Sequence, residues 1–86
     1  MEEKIRQVGE LLRQIVDEDV ASGLAVDVIE NEYEIIVQAN RRGMLSLAEQ
    51  LVALCERNVA YGHYHLDGCG IAHRCDKPVV VTFVNS

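Results

Sequence analysis

Cysteine, histidine and aspartate residues are concentrated in one short segment of the chain, from His63 to Cys75. All three histidines and two of the three cysteines fall within it. Imidazole nitrogens and thiolates are ligands that Zn²⁺ favours, and closed structural zinc sites often combine the two. We expect no cofactor, but the sequence allows a zinc site with five candidate metal ligands: His63, His65, Cys69, His73 and Cys75.

Two other interpretations of this segment stay open, because it contains no Cys-x-x-Cys pair and matches no standard zinc spacing. On a strand, His63 and His65 would point to the same solvent-facing side. A thiol enzyme would instead pair Cys69 or Cys75 with a histidine that Asp67 orients. The chain has no Gly-rich phosphate loop and no His-Glu-x-x-His motif, so we expect no catalytic residues.

The chain is acidic, with fourteen Asp and Glu residues against eight Lys and Arg residues and a net charge of -6. This balance opposes nucleic-acid binding, which requires clustered basic residues. No basic residue occurs between Arg13 and Arg41, a stretch that includes Asp27, Glu32 and Glu34. The stretch is interpreted either as a solvated surface or as a docking surface for a basic protein partner.

Length and composition predict a single globular domain over residues 1–86, since hydrophobic residues make up 49% and charged residues 26% of the chain. The longest apolar run is too short to cross a membrane. The N-terminus opens with acidic residues and lacks the features of a signal peptide. Three cysteines in such a chain indicate reduced thiols. We therefore expect a cytoplasmic protein that does not bind membranes.

Hydrophobic periodicity predicts two amphipathic helices and four strands in the order α-β-β-α-β-β. The first helix covers roughly residues 2–18, and the second begins at Met44 or Ser46 and ends near Asn58. The strands cover residues 24–29, 33–39, 61–67 and 79–84, with Asn31 in the turn of the first hairpin. Residues 40–43 and 68–77 are predicted loops.

This order favours an α+β two-layer sandwich, in which two helices pack on one face of a four-stranded, mostly antiparallel sheet. The second and third strands would lie parallel across a right-handed crossover. The open face of the sheet would carry Tyr61, His63 and His65 with acidic side chains, while Tyr64 and Leu66 would point to the core. The two sheet edges allow a homodimer.

Three short motifs in the second half of the chain resemble those of a known family. They are the segment Asn40-Arg41-Arg42-Gly43-Met44-Leu45-Ser46-Leu47-Ala48, the strand His63-Tyr64-His65-Leu66-Asp67 and the closing run Pro78-Val79-Val80-Val81. Together they resemble the small immunity proteins of bacterial polymorphic-toxin systems, in particular immunity protein family thirty-two. The resemblance extends over roughly residues 40–84.

The resemblance implies a cytoplasmic α+β protein that neutralises a cognate toxin by occlusion, without catalysis or an obligate cofactor. It implies that His63, His65 and Asp67 are characteristic polar residues and that Asn40 and Gly43 form the loop-to-helix signature. The acidic excess fits a basic toxin as the partner. The Cys/His-rich segment departs from the family pattern and keeps a small zinc-binding protein as the alternative. The predicted partner-binding residues are Asp27, Glu32, Glu34, Tyr61, His63, His65 and Asp67.

Overall fold

The computed structural model describes residues 1–18, 23–67, 72 and 74–84. Its two helices are α1 (Glu2–Glu18) and α2 (Arg41–Arg57). Its strands are β1 (Val26–Glu30), β2 (Ile35–Ala39), β3 (His63–Leu66), β4 (Arg74–Cys75) and β5 (Val79–Thr82). The α+β class is confirmed. The predicted element order was incomplete, because β4 lies within a segment that the sequence pattern indicates as loop.

The strands form two sheets, so the prediction of one four-stranded sheet was wrong. In the first sheet the order is β2-β1-β4, with β1 antiparallel to β2 and parallel to β4. The second sheet is the antiparallel pair of β3 and β5. The expected parallel pairing of β2 with β3 does not occur. Strand β3 pairs with β5 in the second sheet. The short strand β4 occupies the second edge of β1 instead.

Polar contacts of Asp76, directly after β4, hold this short strand against β1. The backbone N–H of Asp76 donates to the carbonyl of Val28 at 2.9 Å. Its carboxylate accepts a hydrogen bond from the backbone N–H of Glu30 at 3.0 Å and a second from Arg74 Nε at 3.1 Å. A two-residue strand held by polar contacts has no apolar alternation, so hydrophobic periodicity does not reveal it.

The turn between β1 and β2 is built around the side chain of Asn31. Its Oδ1 accepts hydrogen bonds from the backbone N–H groups of Tyr33 and Glu34, both at 2.9 Å. Its own N–H donates to the carbonyl of Glu34 at 3.0 Å. The turn is therefore an Asx-type turn, in which the side chain of an Asn or Asp hydrogen-bonds the backbone that follows it.

Helix α2 begins three to five residues earlier than the sequence predicts, because Asn40 and not Ser46 caps it. Asn40 has an extended backbone (φ -75°, ψ 179°), and its Oδ1 accepts from the Gly43 N–H at 2.8 Å. Asn and Ser are comparably strong N-cap residues, so residue type alone does not decide between Asn40 and Ser46. Ser46 is instead buried inside the helix.

The core lies between β1, α2 and the inner side of the second sheet. Val26 and Val28 of β1 are fully buried, and Leu66 and Ala72 join them in one cluster. Tyr64 and Val79 pack against this cluster from β3 and β5, together with Leu47 of α2. The inward orientation expected for Tyr64 and Leu66 is confirmed.

Helix α1 packs along α2, so the expectation that both helices pack on one sheet face was wrong. Gly9 is the buried residue of α1 and faces α2, since a Cβ there would lie 3.3 Å from Glu56 Oε2 and 3.5 Å from Val52 Cγ1. An apolar stripe shows that a helix needs a covering surface but not whether a sheet or another helix provides it. Val8, Leu11 and Ile15 of this stripe remain 44–58% exposed. Neither helix of the described segments has the length and apolar character needed to span a membrane.

Candidate functional site

The tip of the first hairpin presents an aromatic ring between two carboxylates. Tyr33 is 89% exposed, and Glu32 and Glu34 on either side of it are also exposed. Within the described part of the chain, neither glutamate has a salt-bridge partner. The backbone carrying these side chains is fixed by the hydrogen bonds of Asn31. The tip is therefore an ordered, negatively charged and largely uncovered surface.

The acidic residues next to the tip are neutralised by basic neighbours. Glu30 lies 3.9 Å from Lys77 Nζ, and Asp76 forms a 3.1 Å salt bridge with Arg74. The pKa of Arg74 is raised above its ordinary value, chiefly by the Asp76 hydrogen bond and charge and additionally by the charge of Asp27. Asp27 is half-buried in the middle of β1, opposite Arg74 on β4. Of the four predicted acidic contact residues, only Glu32 and Glu34 lie together at the tip.

The outer side of the second sheet carries His63 and His65, as predicted, whereas Tyr61 lies in the turn before β3 with a positive φ of 63° and not on the strand. The two imidazole rings are exposed and lie edge to face, with centroids 4.8 Å apart. His63 Nδ1 lies 3.2 Å from the Tyr61 carbonyl oxygen, and the Tyr61 side chain is 74% exposed. Val80, directly opposite His65, is half-exposed on the same side. We call this surface, formed by Tyr61, His63, His65 and Val80, the histidine face.

Asp67 follows the end of β3 and is half-buried. The pKa of Tyr64 is raised above its ordinary value, first by burial and then by the negative charge of Asp67. Tyr64 packs against the core, so the charge of Asp67 acts on a residue of the inner side of the sheet. Asp67 thus differs from the freely exposed histidines with which the sequence groups it.

The predicted zinc ligands are only partly described by the structure, since Cys69 and His73 lie outside the described residues. The other three do not converge: within the described segments, no group of three potential ligands could hold a metal ion. Cys75 packs against the core, and its thiol donates to the Leu66 carbonyl at 3.6 Å. His63 and His65 instead point outward. The zinc site stays a prediction.

Sequence reasoning missed Tyr33 as a candidate contact residue. The pattern indicates a strand from residue 33, whereas β2 begins at Ile35 and leaves Tyr33 in the loop. The signal that could have found it is an aromatic residue flanked by two glutamates beside a turn-forming asparagine. Exposed aromatic residues are frequent anchors of protein–protein interfaces.

Comparison with known proteins gives one match. A family model described as Immunity protein 32 matches residues 34–84, which is more than half of the chain. The match spans β2, α2 and the three later strands, together with Glu34 of the hairpin tip and the histidine face. No curated protein and no solved structure matches the chain significantly.

Proposed function

The chain belongs to the Immunity protein 32 family, and we propose from this membership that it binds a cognate toxin protein and neutralises it by covering a surface the toxin needs. Family membership is the observation that carries the proposal, because it implies a protein partner. Neutralisation by occlusion requires a stable contact surface and no chemical step. We further propose that the protein acts as one domain in the cytoplasm and is not an enzyme.

We place the main toxin contact at the hairpin tip, residues Glu32, Tyr33 and Glu34. A large aromatic side chain buried on binding supplies apolar contact area and often dominates the energy of an interface. The hydrogen bonds of Asn31 already order the loop backbone, so less conformational entropy is lost when the tip is bound. Its high exposure makes Tyr33 available to a partner without rearrangement of the fold.

The charge of the tip supports a basic toxin as the partner. The net charge of -6 attracts a basic protein over distances of several ångströms, and Glu32 and Glu34, which have no salt-bridge partner among the described residues, concentrate that charge at the tip. Complementary charge increases association rates and selects against acidic partners. The histidine face is the second proposed contact, where Tyr61, His63 and His65 have exposed rings.

The proposal is tested with a toxin domain found by screening the neighbouring genes of the source genome, in an inactivated form. We expect a stable complex whose affinity falls roughly 30-fold on Tyr33→Ala, the loss typical of an interface hot spot. Glu32→Gln with Glu34→Gln should slow association and weaken its dependence on salt. Tyr61→Ala is the comparison variant, because it removes a 74% exposed aromatic ring from the second proposed contact, whereas Leu11→Ala on α1, 58% exposed, is the control outside both contacts.

The outcomes separate the function from its location. If the wild-type protein neither binds this toxin nor protects cells that express the active form, the proposed function is wrong. If Tyr33→Ala leaves affinity unchanged while Tyr61→Ala or His65→Ala reduces it, the function stands and the contact lies on the histidine face.

Zinc binding is tested separately by native mass spectrometry of untagged protein before and after chelation. A stoichiometric zinc that is lost together with thermal stability would establish a structural metal site and favour the alternative function. Equal masses and equal stability before and after chelation would remove zinc from consideration.

A further inference from the structure

Strand β2 combines an open sheet edge with an apolar sequence. It is the outer strand of the first sheet, and Ile35, Ile36 and Val37 are 46%, 36% and 37% exposed. These residues alternate between the two faces, so neither face of the strand is fully covered. The strand has no charged residue and no proline, the usual protections of an exposed edge. Such an edge favours pairing with another strand.

The hydrogen bonds of the hairpin show which backbone groups remain free. The N–H of Asn31 donates to the Glu34 carbonyl, and the N–H of Asn40 donates to the Ala25 carbonyl. Antiparallel strands alternate between hydrogen-bonded and non-bonded pairs. With the register of β1 and β2, Ile36 and Gln38 therefore bond to β1. The N–H and C=O groups of Ile35, Val37 and Ala39 point to the open edge, which pairs with no strand of the described chain.

We infer that β2 pairs with β2 of a second copy of this chain, antiparallel and with Val37 on the twofold axis. In this register Ile35 lies opposite Ala39 and Val37 lies opposite its own copy. Each residue whose N–H and C=O groups point to the open edge then belongs to a hydrogen-bonded pair. The first sheet therefore continues across both copies. A shift of two residues would leave one end of each strand unpaired.

Charge also favours this register. Continued past the strand, it places Glu34 of one copy opposite Asn40 of the other, next to the exposed Arg41 that begins α2. A carboxylate is favoured there by both the guanidinium and the positive end of the helix dipole. No like charges face each other between residues 34 and 40. The second copy is thus complementary to β2 in backbone, apolar surface and charge.

This interface shares Glu34 with the proposed toxin contact, and the other two residues of the hairpin tip lie outside it. Glu32 and Tyr33 lie beyond the paired residues, so the dimer leaves both available. Its test needs only this chain and does not depend on identifying a toxin.

Sedimentation equilibrium and light scattering of the full chain test the inference. We expect the wild type to reach twice the 9.6 kDa chain mass. Val37→Lys should weaken dimerisation by about 100-fold, because it places like charges opposite each other at the axis. An equimolar mixture of Val37→Lys and Val37→Glu should restore the dimer as a heterodimer. This rescue distinguishes a lost interface from a lost fold.

Two further variants separate edge pairing from other contacts. Val37→Pro removes an N–H that points to the open edge and makes no bond to β1, so we expect loss of the dimer with the monomer fold kept. Leu11→Lys charges a residue of α1 that is 58% exposed and should leave the dimer intact. A wild type that stays monomeric at every concentration, a Val37→Lys protein that stays dimeric, or dissociation by Leu11→Lys alone would overturn the inference.

Discussion

The close approach of Gly43 to the start of the first sheet makes a strong prediction about stability. Gly43 lies in the first turn of α2 and is buried. A Cβ at this position would lie 2.4 Å from the backbone oxygen of Ala25 and 2.9 Å from both Ala39 Cβ and Val26 Cγ2. Non-bonded heavy atoms attract each other only at about 3.5–4.0 Å. Gly43→Ala therefore forces α2 away from β1 by a distance on the order of 1 Å.

The expected cost follows from three contributions. Overpacking costs about 1–3 kcal/mol, and a clash with a backbone oxygen and two further atoms belongs in the upper part of that range, about 2–3 kcal/mol. The movement also strains the cap, because the Asn40 side chain bonds to both Gly43 and Ala25, and a lost cap costs about 1 kcal/mol. Alanine returns about 1 kcal/mol through its higher helix propensity. We expect a net loss of about 2–3 kcal/mol in the free energy of unfolding.

Thermal and urea unfolding, followed by circular dichroism, measure this loss. For a domain of this size it corresponds to a decrease in Tm of roughly 10–20 °C. Gly23→Ala is the matched control, because a Cβ at Gly23 meets no heavy atom within 4 Å. The control should change stability by less than about 0.5 kcal/mol. A Gly43→Ala protein within about 1 kcal/mol of wild type would refute the reasoning.

Three further predictions concern single side chains. Asn40→Ala removes a cap that bonds both α2 and the start of the first sheet, and urea unfolding should show a loss of about 2 kcal/mol. The folded-state pKa of Asp76 is lowered, first by its hydrogen bond from Arg74. The ionised carboxylate therefore stabilises the protein above the unfolded-state pKa, and this contribution is lost as pH falls below about 4. Asp76→Asn should make the free energy of unfolding depend less on pH over this acidic range. Burial and then the charge of Asp67 raise the pKa of Tyr64, so in an absorbance titration its phenol should ionise above the ordinary tyrosine value, and stability should fall as pH rises above about 10. An absorbance titration unchanged by Tyr64→Phe at its alkaline end would contradict the last of these.

Elements with strong periodicity were predictable, and contacts between elements were not. Both helices and four of the five strands occur where alternation or a 3.6-residue period indicates them. The two-residue strand β4 escaped because its position depends on hydrogen bonds of Asp76 to residues about 46–48 positions earlier in the chain. That strand takes the second edge of β1, while β3 and β5 pair with each other in a separate sheet.

The residues of the candidate site also fall into these two groups, those predictable from one element and those that depend on contacts between elements. Outward histidines and inward Tyr64 and Leu66 follow from alternation along a single strand, so the sequence is sufficient to predict them. The salt bridge between Glu30 and Lys77 depends on how β4 joins β1. It distinguishes Glu30 from Glu32 and Glu34, which have no salt-bridge partner among the described residues. Tyr33 was missed for a local reason, because a shift of two residues in the strand start decides whether it is paired or presented in the loop.

The hairpin tip is better explained by binding than by folding. Glu32, Tyr33 and Glu34 are exposed, so their side chains contribute little to the apolar core. Two neighbouring carboxylates without basic partners in the described chain repel each other, which disfavours the folded state slightly. Asn31 nevertheless fixes the backbone beneath them with three hydrogen bonds. An ordered loop that displays an aromatic ring and uncompensated charge is preorganised for a basic partner, and membership in an immunity family supplies the class of partner that would select for it.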